Sequence, residues 1–127
     1  MSAQKLTEID WAGMTLSIPF ATLWIASASD LRRLIEPETL ALSLIHGSAP
    51  SFFAAITTAV WCAYVNRPVY PWVAGVLGAL VSASAEIPQI FMRNTYPDLN
   101  DVAAAVAGGI AGSLIVSAFE RMREPGR

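Results

Sequence analysis

Val69-Tyr-Pro-Trp-Val-Ala-Gly-Val-Leu-Gly-Ala-Leu-Val-Ser-Ala-Ser-Ala-Glu-Ile-Pro-Gln-Ile-Phe91 carries a single formal charge, Glu86. A helix needs roughly 17–25 mostly apolar residues to cross about 30 Å of hydrocarbon, and this stretch supplies them. Residues 11–29, 49–65 and 102–119 have a similar character. Because hydrocarbon offers backbone N–H and C=O groups no water, apolar stretches of this length are read as helices and not strands. The sequence therefore predicts an all-α fold. It is one domain over residues 1–127, an integral membrane four-helix bundle with spans at about 11–29, 49–65, 69–91 and 102–119.

Composition agrees with that class. A mean hydropathy of +0.49 with 14% charged residues is too apolar for an ordinary soluble domain of 127 residues. The net charge of -2 and eight Lys and Arg exclude a nucleic-acid partner, whose phosphates demand a dense basic surface. Cys62 is the sole cysteine, so no intramolecular disulfide forms and a free, buried thiol is expected.

The first apolar stretch imitates a secretory signal, with Lys5 ahead of it and Ala26-Ser-Ala28 as a cleavage-like site. Glu8 and Asp10 spoil the positive leader region, so it is read as a true span. Residues 30–47 are too charged to cross and too leucine-rich for a plain loop. They are expected to form a short interfacial helix, with Pro37 in its first turn, Leu40, Leu42, Leu44 and Ile45 on its apolar side, and Gly47 ending it. His46 then lies near a helix C-terminus, which accounts for it better than a metal does, since no second ligand is spaced with it.

Lys and Arg concentrate on the cytoplasmic side of membrane proteins. With four spans, Lys5, Arg67, Arg121, Arg123 and Arg127 fall on one side, and Arg32, Arg33 and Arg93 on the other. Both termini are accordingly expected in the cytoplasm. Trp11, Tyr70, Trp72 and Tyr96 fall near span ends, where amphipathic rings anchor at headgroup level.

Small residues mark where helices approach one another, because lipid provides no hydrophobic drive between them. Gly75, Ala79 and Ser82 share one face of the third span, and Gly108 and Gly112 share a face of the fourth. These are read as packing positions within the bundle first and as a dimer face second.

The polar residues between the last two spans are the candidate site. Glu86 and Gln89 end the third span, Asp98 and Asp101 open the fourth, and Arg93 is the nearest cation to Glu86. Carboxylates and amides near bilayer depth cost free energy unless they pair, face a polar interior or do work. Pro88 lacks a backbone N–H and is expected to kink or stop the helix beside Glu86. Asp98 and Asp101 also have a purely structural reading, as N-cap and first-turn acid of the last helix. A docking role for Glu86 and Gln89 stands beside a catalytic or headgroup-binding one. No Ser-His pair, metal cluster or phosphate loop accompanies these acids. No residue is assigned as catalytic, with Glu86, Asp98 and Asp101 the candidates, and no metal or cofactor is implied.

Glu86-x-x-Gln89, Asp98-x-x-Asp101 and Gly108-x-x-x-Gly112 together resemble the signature of VanZ-like membrane proteins, small proteins of about four spans. The likeness runs from Glu86 to Gly112. The chain departs from it at Thr95, where the family usually has Arg, and at Ala105, where it usually has Asn. The family is named for a glycopeptide-resistance phenotype and is linked to the cell envelope. The resemblance implies a fold and a setting, the bacterial inner membrane, more than a reaction. The expected function is a non-catalytic, envelope-lipid-binding protein or an accessory subunit of a larger membrane assembly. Its partners would be membrane lipids or other integral membrane proteins. The alternative is an envelope-lipid-modifying enzyme using Glu86 with Asp98 or Asp101.

Overall fold

The computed structural model describes residues 9–28, 40–65, 70–85, 87 and 99–124, with the backbone alone for residues 40–46. Among them there is no strand. Five helices follow in order: α1 (Trp11–Met14), α2 (Ser17–Ala28), α3 (Leu40–Val65), α4 (Pro71–Ser84) and α5 (Leu99–Arg123). The first two occupy one apolar stretch, so the stretches predicted as spans correspond to four helical rods. Trp11–Ala28, Gly47–Val65 and Leu99–Arg123 are long and apolar enough to cross a membrane. The fourth, α4, has 14 residues and at 1.5 Å per residue extends only about 21 Å.

The rod at residues 11–28 is broken where one continuous span was expected. Pro19 has no N–H to donate to the Thr15 carbonyl. The Ile18 N–H donates there instead, at 3.2 Å, and the Leu16 N–H turns back to the Gly13 carbonyl at 3.0 Å. These tight three-residue bonds, at Thr15 and Leu16, separate α1 from α2.

A second difference concerns Gly47. The expected helix end at Gly47 is not found: α3 runs unbroken from Leu40 through Gly47 and past Pro50 to Val65. The rest of the stretch expected as an interfacial helix, residues 30–39, lies outside the described residues. A helical glycine costs only about 1 kcal/mol relative to alanine, too little by itself to end a helix. Pro50 withholds one intrahelical bond without stopping the rod. His46 consequently sits inside α3 and not at a helix C-terminus.

The helix α4 starts on Pro71, in the first turn where a proline's fixed φ suits it, and closes at Ala85, whose N–H donates to the Ser82 carbonyl at 3.2 Å. The rods α3, α4 and α5 pack mutually, α4 antiparallel to the other two. The core cluster of Ile56, Val60, Ala63, Tyr64, Ala74 and Val116 sits among them. By contrast, α2 packs along α3 and makes no extended contact with α4 or α5.

Candidate functional site

The candidate polar set falls mostly beyond what can be described. Glu86, Gln89, Arg93 and Asp98 lie outside the described residues. Asp101 lies in the first turn of α5, where a negative charge suits the helix dipole. It is half-buried, and its Oδ1 is shielded from solvent. The α4–α5 contacts set an antiparallel register, Gly75 against Gly109 and Ser113, and Gly109 against Ala79. Continued outward, that register brings Asp101 level with the Ser84–Ala85 end of α4.

The small-residue positions lie at helix crossings. A Cβ on Gly75 would stand 2.5 Å from the Gly109 carbonyl oxygen, and one on Gly109 would stand 2.5 Å from that of Gly75. The two backbones therefore touch, with Ala79 completing the contact at Gly109. On its other side α5 meets α3: Gly108 lies against the Phe52 carbonyl and Gly112 against Ala59. Ser82 is buried, and its hydroxyl donates across to the Ser51 carbonyl of α3 at 2.9 Å.

Two positions of this lattice were absent from the sequence reading, Gly78 and Gly109. Gly78 abuts the Ala55 carbonyl. Gly109 neighbours Gly108 in sequence, yet the two serve different crossings, because α5 is sandwiched between α3 and α4. A single-face G-x-x-x-G pattern finds 108 and 112 and passes over 109; the paired glycines were the available signal. Ala105 is fully buried on the same side of α5 as Gly108 and Gly112. An Asn there would need its amide satisfied inside the packing.

The described residues gather a second polar group at the opposite end, unforeseen from sequence. Asp10 caps α1, its Oδ1 accepting from the Gly13 N–H at 3.1 Å. Its backbone N–H donates to the Tyr64 carbonyl at 2.9 Å. Its other carboxylate oxygen receives the Arg123 guanidinium, which also lies 3.6 Å from Glu120 and over the Phe119 ring at 5.4 Å. Phe119 in turn packs edge-to-face on Tyr64, with centroids 5.8 Å apart. Gly13 leaves room for the Tyr64 ring, which a Cβ there would strike. The signal was an Asp placed just before an apolar run, an N-cap pattern.

Among the described residues no three His, Cys, Asp or Glu side chains are grouped to hold a metal. The buried hydroxyls of Ser17, Thr57 and Ser82 all donate to helix carbonyls, at 2.7, 2.8 and 2.9 Å. Open clefts lie between the rods, one of about 280 Å³ along α4 and α5 and one of about 350 Å³ between α2 and α4 over α3. No family model matches this chain, and neither a curated protein nor a solved structure does.

Proposed function

We propose that this chain is a small polytopic membrane protein of the VanZ-like kind that works without catalysis, as an accessory subunit packing within a larger assembly of the bacterial inner membrane. One observation carries the reading: the molecule is apolar outward, and its rods cross over small residues. Ile18, Ile25, Leu80, Ile110 and Leu114 are each at least 60% exposed, while the crossings between rods are built of Gly, Ala and hydrogen-bonded hydroxyls. Exposed apolar surface on this scale needs lipid or protein cover. Small-residue crossings are how helices associate where hydrophobic burial drives nothing.

The end that carries both Asp10 and Arg123 also carries Trp11, Tyr70 and Trp72, all strongly exposed, and Arg121. Aromatic rings and arginines together mark a headgroup boundary, which supports this end, and with it both termini, as the cytoplasmic one. Envelope lipid is the other cover such a surface accepts.

The test is extraction of the full chain from its native membrane in mild detergent, followed by native mass spectrometry of wild type and Glu86→Gln. A stoichiometric protein that stays with the wild type supports the accessory role, and its loss with Glu86→Gln makes the polar set the docking point. A retained envelope lipid, unaltered on incubation, redirects the reading to lipid binding. Conversion of that lipid by the purified chain, abolished by Glu86→Gln, overturns the non-catalytic reading. Recovery of the chain without detergent overturns the membrane reading itself.

A further inference from the structure

The cleft of about 280 Å³ along α4 and α5 follows the seam where the two backbones touch. No residue of α2 or α3 lines it, so it opens on the side of the pair that faces away from the core. Gly75 and Gly109 lie in its floor, Val76, Ile110 and Leu114 form its walls, and Trp72 stands at one end. The wall residues and Trp72 are all exposed. From Val106 to Leu114 the furrow is about 12 Å long at 1.5 Å per residue.

One end of this apolar furrow is marked by a cation. On α5 the wall continues from Ile110 and Leu114 through Ser117 to Arg121, in steps of four, three and four that keep to one face of a helix. In the antiparallel register that sets Gly75 against Ser113, Ser117 is level with Pro71, and Arg121 lies about one turn beyond the start of α4. Arg121 is exposed and makes no ion pair with a described residue. Its neighbour Arg123 is committed to Asp10, in the contact that anchors α1, and to Glu120. The exposed rings of Tyr70 and Trp72 put this end at headgroup depth. A cation at phosphate level and an apolar furrow at acyl level thus stand in one line, which is the pattern of a phospholipid.

A second copy suits the same face less well. Two copies inserted with one topology meet about an axis along the membrane normal, which sets Arg121 against Arg121. Opposed like charges disfavour that pairing. Gly75 and Gly109, the residues that would admit a close helix, are already spent on each other.

We infer that the α4–α5 furrow seats a phospholipid with an anionic headgroup, one acyl chain lying along Val76, Ile110 and Leu114 and the phosphate accepting from Arg121. The site rests on the membrane reading above and not on the accessory role. A lipid seated here is retained by Glu86→Gln, which separates it from one held at the candidate polar set.

The experiment is native mass spectrometry of the full chain released from nanodiscs of equal parts phosphatidylglycerol and phosphatidylcholine with identical chains. The expected result is one retained lipid, with phosphatidylglycerol preferred roughly fivefold, the contribution of a single arginine at an anionic surface. Arg121→Gln should bring the two lipids to parity, and Arg121→Lys should keep the preference, since lysine binds phosphate as a point charge. Ile110→Trp fills the furrow from an exposed position and should lower retention of both lipids. Arg123→Gln removes an equal charge outside the furrow and should leave the preference unchanged. Parity in the wild type overturns the site. Equal losses in Arg121→Gln and Arg123→Gln overturn it in favour of diffuse charge, and unchanged retention in Ile110→Trp removes the furrow as the seat. A lipid-free dimer that Ile110→Trp dissociates assigns the face to a second copy. A chain recovered without detergent fails the membrane reading, whereas a detergent-dependent chain without lipid preference fails this site alone.

Discussion

The α3–α4–α5 core and the α1–α2 rod are held by opposite means. In the core, backbones meet over glycine, and cohesion is spread along three crossings through many weak dispersion contacts. In the rod, directional contacts join the α1 end to Tyr64 and Arg123, and α2 packs along α3. The contrast teaches that apolar helices differ in attachment according to where they carry small residues. Gly75, Gly78, Gly108, Gly109 and Gly112 all serve core crossings, whereas the rod contributes Gly13 alone.

The largest effect is expected from breaking the core. Gly109→Val forces α4 and α5 apart, and neither backbone can yield locally, so the folded bundle should be lost. Gly109→Ala should cost about 1–3 kcal/mol, the range for overpacking a filled site. Thermal unfolding in detergent reads both, and an unshifted Gly109→Ala would mean the two helices are not in backbone contact.

Gly13→Ala sharpens the contrast. Its Cβ would strike the Tyr64 ring, costing about 1–3 kcal/mol by the same mechanism, but the damage should stay in the rod. Cysteine-accessibility labelling should show more exposure in α2 and none at α4–α5 positions. Adding Tyr64→Leu should recover part of the loss, as residues in direct contact are non-additive.

Asp10 separates the two components of the anchor. Asp10→Asn keeps a capping side chain but gives up the ion pair with Arg123, which is worth about 0.2–1 kcal/mol for a partly exposed pair. Asp10→Ala also gives up the cap, about 1 kcal/mol more. Equal losses in the two variants would remove the cap from the account. The smallest expected effect is Ser82→Ala. It deletes the hydroxyl bond to the Ser51 carbonyl between α3 and α4, and interhelical bonds of this kind average about 0.6 kcal/mol. Chemical denaturation of the solubilised chain measures it.

Much of the helical framework was legible because apolar length is a strong signal. The start of the first rod near Trp11 follows directly from where the apolar run begins after Asp10. What escaped were features decided by competition between local and tertiary terms. Gly47 has the composition of a helix end, yet α3 continues through it and past Pro50, the segment beyond packing against α4 and α5. Pro19 was visible, but its effect depended on whether the Thr15 carbonyl found another donor, which it did in Ile18. The crossings at Gly75 and Gly108 lie on faces that a G-x-x-x-G or one-face reading can see. Gly109 lies between two such faces, and only the sandwiched position of α5 makes it matter. For the candidate site, Asp101 was legible as a first-turn acid. The Asp10–Arg123 anchor was not, because no local pattern joins residues 113 positions apart.

The reciprocal contact of Gly75 and Gly109 has a genetic consequence. At each of these two positions the nearest atom met by an added methyl group is a carbonyl oxygen of the other, an atom that every amino acid possesses. No substitution at the facing position can therefore remove the obstruction. At Gly13 the obstruction is the Tyr64 side chain, which a smaller residue removes. A screen for second-site revertants should consequently recover Gly13 lesions through changes at Tyr64. Lesions at Gly75 or Gly109 should yield only true reversion to glycine.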